Sequence, residues 1–169
     1  MKIKLTPELA YVIGLWRKKR SFEGLGVRGN EKIIEVFSKE VLSQGLTTPE
    51  RLLTDQKQVY FYHTAYRKFF NEVEEEQLER FKYLNEYAAN YLAGLFDAVG
   101  NISEDGVVVL SRLTREDELL MWRLGFKTKR KKEVVIVERP TIFLAFIKNY
   151  VKVFKGHRVF DLIDKTKKS

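Results

Sequence analysis
The segment Tyr11-Val12-Ile13-Gly14-Leu15 returns eighty residues later as Tyr91-Leu92-Ala93-Gly94-Leu95. The same offset carries Gly45-Leu46-Thr47-Thr48 onto Gly125-Phe126-Lys127-Thr128. A third match places Lys57-Gln58-Val59-Tyr60-Phe61 on Lys132-Glu133-Val134-Val135-Ile136 at an offset of 75, with a loop about five residues shorter in the second half. Three collinear matches in 169 residues read as a tandem duplication. The repeats are expected over 1–82 and 83–155, followed by a basic C-terminal tail over 156–169.

Each half predicts the same order of elements. Thr6-Pro7-Glu8 combines a hydroxyl N-cap, proline at the first helical position and an acid at the positive dipole end, so a helix is expected from about 7 to 19. The glycine-bearing stretch 23–29 suits a poor strand or a loop. Ile33, Ile34, Phe37, Val41 and Leu42 recur at helical spacing over 31–44, and Gly45 ends that helix. A hairpin over 51–55 and 57–63 and a helix over 64–76 complete the first half. In the second half, Asn85 caps a helix to about 98, and strands at 101–103 and 107–110 flank the turn Glu104-Asp105-Gly106. Thr114 with Asp117 reads as a capping box for a helix to about 124. Strands at 126–130 and 132–138 follow, and Pro140 opens a helix expected to reach about 154.

Composition narrows the function classes. The chain carries 31 basic and 23 acidic residues, a net charge of +8 and a pI near 9.5. The excess is shared, +3 over residues 1–84 and +5 over 85–169, so it is not the property of a tail. A folded chain with this surplus concentrates polyanions wherever the charge gathers on one face. The absence of cysteine excludes disulfides, thiolate zinc sites and thiol nucleophiles. His63 and His157 belong to no ligand-spaced group, so no metal site and no cofactor are expected from them. No apolar run approaches a membrane span, and the N-terminus lacks the apolar stretch of a secretory signal, so no membrane association and a cytoplasmic location are expected.

Residues 91–100, Tyr-Leu-Ala-Gly-Leu-Phe-Asp-Ala-Val-Gly, resemble the signature helix of the LAGLIDADG homing endonuclease family. Leu92, Ala93, Gly94, Leu95, Asp97, Ala98 and Gly100 stand in the family's order. The resemblance covers nearly the whole chain. It implies an α+β fold built from a pseudo-twofold duplicated αββαββα unit, with two antiparallel sheets forming a saddle over duplex DNA. The first half is short of a full first hairpin, which would leave its side of the saddle smaller. In such a fold the signature helices meet at a central axis. Ala10 with Gly14, and Gly94 with Ala98, are i, i+4 pairs of small residues suited to that contact. A mid-helix glycine costs roughly 1 kcal/mol against alanine, which points to a packing need.

The family ends each signature helix with an acid that holds divalent metal beside the scissile phosphates. Carried onto this chain, those positions are Lys19 and Val99, and neither offers an oxygen ligand. No catalytic residue and no metal ligand are therefore assigned. The resemblance then implies a non-catalytic nucleic-acid-binding protein on an endonuclease or maturase scaffold, an inactive nuclease that takes duplex DNA or structured RNA. Two alternatives stay open: an active metal-dependent endonuclease using the displaced acids Asp97, Glu23 or Glu104, and a scaffold that binds another protein.

The candidate binding residues follow from charge and strand alternation. Arg17, Lys18, Lys19 and Arg20 put four cations where the family has its metal site, although cations at a helix C-terminus also answer the macrodipole. Lys127 and Lys129 are expected on one strand face, and Arg130 and Lys132 on the other, if the strand runs through them. Arg28, Lys57 and Arg112 add positive charge. In 57–63, Val59 and Phe61 share one face while Gln58, Tyr60 and Tyr62 share the other, which makes Tyr60 and Tyr62 candidates for contact with bases or sugars. With both repeats in one chain, a monomer is expected.

Overall fold
The computed structural model describes residues 2–55 and 57–161; the end of the basic tail, 162–169, lies outside the described residues. The first half runs α1 (Pro7–Arg17), β1 (Leu25–Arg28), α2 (Glu31–Ser43), β2 (Leu53–Asp55), β3 (Gln58–Phe61) and α3 (Thr64–Glu75). A 3-10 turn, Glu79–Phe81, leads into the second half. That half runs α4 (Glu86–Val99), β4 (Gly100–Ile102), β5 (Val108–Ser111), α5 (Arg115–Arg123), β6 (Thr128–Lys131), β7 (Val134–Val137) and α6 (Pro140–Ile147). The strands form two antiparallel sheets, ordered β1-β3-β2 and β4-β5-β7-β6.

Two helices form the centre. Every residue of α1 from Leu9 to Arg17 and of α4 from Ala88 to Val99 is buried, as expected of helices packed on all sides. They cross through their glycines. A Cβ built on Gly14 would meet the carbonyl oxygen of Tyr91 well inside contact distance and the nitrogen of Leu95 at 3.0 Å. A Cβ on Gly94 would meet the carbonyl oxygen of Tyr11 in the same way and the nitrogen of Leu15 at 2.8 Å. Each repeat's glycine thus lies on the other repeat's matching tyrosine and leucine. Ala10 and Ala98 are buried as well, and the closest approach belongs to the glycines.

Local chemistry repeats along with the topology. Thr6, Asn30, Asn85 and Thr114 each accept a hydrogen bond from a backbone N–H three residues on, and Thr114 completes the capping box with Asp117. Helices α2 and α5 both end in a Schellman turn. Leu46 N–H reaches Val41 O at 2.9 Å and Phe126 N–H reaches Met121 O at 2.8 Å, around Gly45 and Gly125 at positive φ. Leu46 and Phe126 are buried, which completes the motif with an apolar anchor.

One repeat match and two helix ends differ from the sequence-based expectation. Buried Val59 and Phe61 match buried Val135 and Val137, so the third repeat match belongs at an offset of 76. A one-residue slip in a strand moves every side chain to the opposite face, and only burial resolves it. Helix α1 stops at Arg17, because Lys19 O already accepts from Arg28 N–H at 2.7 Å. Helix α6 stops at Ile147, because the chain turns to bring the N–H groups of Lys152, Val153 and Phe154 onto the Asp97 carboxylate at 2.7, 3.1 and 3.2 Å.

The first repeat does lack a full first hairpin. Where β4 pairs with β5, the first half has a stub: one bridge between Arg20 and Val27, and Ser21 N–H donating to Gly26 O at 3.0 Å. The first sheet therefore has three strands against four.

Candidate nucleic-acid interface
Helices α1 and α4 cross at Gly14 and Gly94, each five residues before Lys19 or Val99; Val99 is the last residue of α4 and Lys19 follows the end of α1. Around this point the sequence packs charge, and most of it is spent internally. Arg17, buried, donates to Asp117 of α5, to Glu74 of α3 at 3.1 Å and to the Tyr91 hydroxyl at 2.9 Å. The Lys18 ammonium reaches Asp117 at 2.8 Å with its side chain 8% exposed. Arg20 pairs with Glu74 and lies 4.1 Å from the Trp16 ring centroid. Arg17 and Lys18, expected on the binding face, instead lock the repeats together through Asp117, while Arg20 stays exposed and pairs within the first repeat. Asp117, 100 residues from Arg17 in sequence, answers the charge of the two buried cations.

The same repeat position carries opposite charges in the two halves. Arg17 hydrogen-bonds Tyr91, and its counterpart Asp97 accepts from the Tyr11 hydroxyl at 2.5 Å. Burial pushes the Asp97 carboxyl above the ordinary range, against the pull of the three N–H groups and the tyrosine that stabilise its anion. Asp117 moves the other way: burial opposes ionisation there, yet Arg17 and Lys18 hold its pKa below the usual carboxylate value.

Lys19 is different. Among the described residues no carboxylate stands within ion-pair distance of Lys19, Arg28 or Arg112. Burial, and then the neighbouring Arg112 and Arg28, hold the Lys19 ammonium below its ordinary pKa. Three cations, one after α1, one at the end of β1 and one in the β5–α5 loop, therefore crowd one spot beside the helix ends. Arg112 sits there in the left-handed region (φ 59°), an unfavourable conformation for arginine that the surrounding structure enforces. Lys19, Arg28, Arg112 and Lys57 line an open pocket of about 930 Å³ beside the first sheet.

The open face of the first sheet is the one alternation predicts. Val59 and Phe61 are buried, Tyr60 is half-buried and Tyr62 is exposed, with the two tyrosine rings 5.8 Å apart edge to face. Gln58 shares that face but is buried and engaged, accepting from Phe22 N–H at 2.9 Å and donating to Asp55 at 3.3 Å.

In the second sheet, Lys129 pairs with Ile136, which pairs with Val109, while Lys131 pairs with Val134 and through it aligns with Ser111. Lys129 and Lys131 thus project from the half-exposed face, opposite to buried Val135 and Val137. Lys127 precedes the strand and is exposed, its ammonium 5.9 Å from the Trp122 ring centroid. Arg130 takes the helix side, donating to Glu118 and to Leu113 O, each at 2.7 Å, so its charge is answered within the fold. Lys132 belongs to the β6–β7 turn (φ 58°) and to neither strand face.

Residues missed by the sequence-based assignment are Phe22, Lys131 and Asp117 as an ion-pair partner. Phe22 is 76% exposed, with Arg28 held 4.4 Å from its ring centroid. Its signal was a lone aromatic in the polar run Arg20-Ser21-Phe22-Glu23.

A divalent ion does not fit these residues. The two helix-end positions offer an ammonium and an aliphatic group, and two guanidinium-bearing side chains stand close by. Asp97 is buried and fully engaged. The Glu23 carboxylate lies 3.4 Å from the Tyr62 hydroxyl, and Glu104 sits in the exposed β4–β5 turn.

No family model matches the chain, and no curated protein is detectably similar in sequence. Solved structures do share its fold. The complex of I-DmoI with DNA and Ca superposes with a TM-score of 0.62 at 12% identity, over 92% of this chain and 97% of that one. The complex of I-DmoI with DNA and Mn gives 0.58 at 12% identity, over 83% and 96%. Mesophilic variants of the homing endonuclease I-DmoI give 0.57 at 12% identity, over 83% and 94%. The fold is of the LAGLIDADG type, with its two antiparallel sheets forming the saddle.

Proposed function
We propose that this chain, a LAGLIDADG-type scaffold, binds double-helical nucleic acid across its saddle without cutting it. The observation that carries this reading is the unanswered cluster of Lys19, Arg28 and Arg112 at the helix ends, with Val99 as the second helix-end residue. Crowded cations with no carboxylate at ion-pair distance cost stability in the free protein, and a phosphate backbone supplies the counter-charge. Lys129, Lys131 and Lys127 extend positive charge along the second sheet, and Lys57 along the first. Duplex DNA is the first polymer to consider, because I-DmoI is solved in complex with DNA. The exposed Tyr62 and Phe22 favour structured RNA with unpaired bases as the second. Both repeats lie in one chain, so a monomer presents the whole saddle.

Salt-titrated anisotropy on labelled duplex DNA and a structured RNA tests the reading. The wild type should bind at least one polymer with log Kd rising steeply with log salt. Lys19→Gln should weaken binding about three- to tenfold near 0.1 M salt and flatten the slope by about one unit. The same variant should be no less stable than the wild type. The lowered pKa of Lys19 means that the unfolded chain binds more protons below the ordinary lysine value, so stability rises with pH through that window and removing the charge relieves the same cost. Salt-independent or absent binding would favour a protein-interaction scaffold instead.

A further inference from the structure
The shortened hairpin of the first repeat leaves an aromatic side chain close to the helix-end lysine. In the second half, β4 and β5 carry their turn, Ser103 to Val107, away from the helix end. In the first half the stub lasts only from Lys19 to Ser21, so Phe22 stands three residues after the helix-end lysine and lines the same pocket as Lys19, Arg28, Arg112 and Lys57. Its backbone N–H donates to buried Gln58, which anchors the main chain here, and the Arg28 guanidinium lies 4.4 Å from the ring centroid. The side chain remains 76% exposed while lining the pocket, so ring surface is free for stacking.

We infer that this pocket takes one unpaired nucleotide of the bound nucleic acid, stacking its base on Phe22 and holding its phosphate at Lys19, Arg28 and Arg112. The ligand class is thus a helix interrupted by a bulge or an extrahelical base. The inference deepens the proposed non-cleaving binding and rests on it.

Size, charge and chemistry agree. A volume of about 930 Å³ lies within the range of small-molecule sites. A base stacks on an aromatic ring without regard to sequence, and the adjoining cations pair with its phosphate. Asp55 and Glu31, which also line the pocket, provide acceptors for exocyclic amino groups, although the Asp55 carboxylate already accepts from Gln58. A fully paired duplex keeps its bases stacked internally and offers the ring nothing. A protein that reads an extrahelical base gains from sites where unpairing has already occurred.

The test compares the full chain on labelled duplexes that differ only by a single bulged nucleotide, in DNA and in RNA versions. The bulged form should bind about tenfold more tightly than the paired form in at least one polymer at equal salt. Phe22→Ala should remove that preference and Phe22→Trp should keep it; both changes fall on an exposed side chain and leave the core intact. A preference below twofold in both polymers overturns the inference, and so does a Phe22→Ala loss shared equally by bulged and paired forms. Salt-dependent binding with no bulge preference defeats this inference alone, whereas no binding to any of the four ligands defeats the underlying reading as well.

Discussion

Gly94→Ala is expected to destabilise the protein by more than about 4 kcal/mol, beyond the usual range for a single added methyl group. Overpacking is ordinarily moderated because a neighbouring side chain shifts. Here the new Cβ meets the carbonyl oxygen of Tyr11 and the nitrogen of Leu15, and both belong to the backbone of a fully buried helix. Relief requires moving α1 and α4 apart, which unpacks the core on both sides of the crossing. Gly14→Ala, which strikes Tyr91 and Leu95, should behave alike. Gly45→Ala is the control: its Cβ meets nothing within 4 Å, and its positive φ should cost about 1 kcal/mol. Denaturant titration of the three variants measures the difference, and similar midpoints for Gly94→Ala and Gly45→Ala would show that the helices are not in backbone contact.

Asp117→Asn is the second large effect, expected to cost about 3 kcal/mol. The side chains of Arg17 and Lys18 are 6% and 8% exposed, and both converge on this carboxylate. The amide would leave two buried cations facing a neutral group, with Glu74 still serving Arg17. Glu118→Gln, which disturbs the more exposed pair with Arg130, should cost no more than about 1 kcal/mol. The pH dependence follows the same direction. Since the folded pKa of Asp117 lies below its unfolded value, its contribution is present above pH 4 or so and is lost as pH falls through the folded value. Thermal melts over that range should converge for wild type and Asp117→Asn, as acid neutralises the wild-type carboxylate and leaves the amide unchanged.

The duplication, the helix caps, the crossing glycines and the buried face of β3 were legible because each is a local pattern or a repeat of one. Gly14 and Gly94 stood out as costly residues in matching places, and the cost is explained by the opposite helix. Lys19 and Val99 were likewise readable from position. What remained hidden concerns partners rather than faces. Nothing near Arg17 names Asp117 as its counter-ion, so a run of four cations read as one surface although the fold buries two of them. The end of α6 was invisible for the same reason, since it is Asp97, more than fifty residues earlier, that captures the N–H groups of 152–154. The one-residue error in the hairpin match reflects strands so short and so uniformly aliphatic that Val134, Val135 and Ile136 align equally well in either register.

The most direct measurement is binding and strand integrity followed together, in chelator and in millimolar Mg²⁺ or Mn²⁺. With an ammonium and an isopropyl group where oxygen ligands would have to converge, the expected result is affinity that does not need metal and a nucleic acid recovered whole after prolonged incubation. Incision that depends on the added ion, or binding that tightens when the ion is supplied, would contradict it.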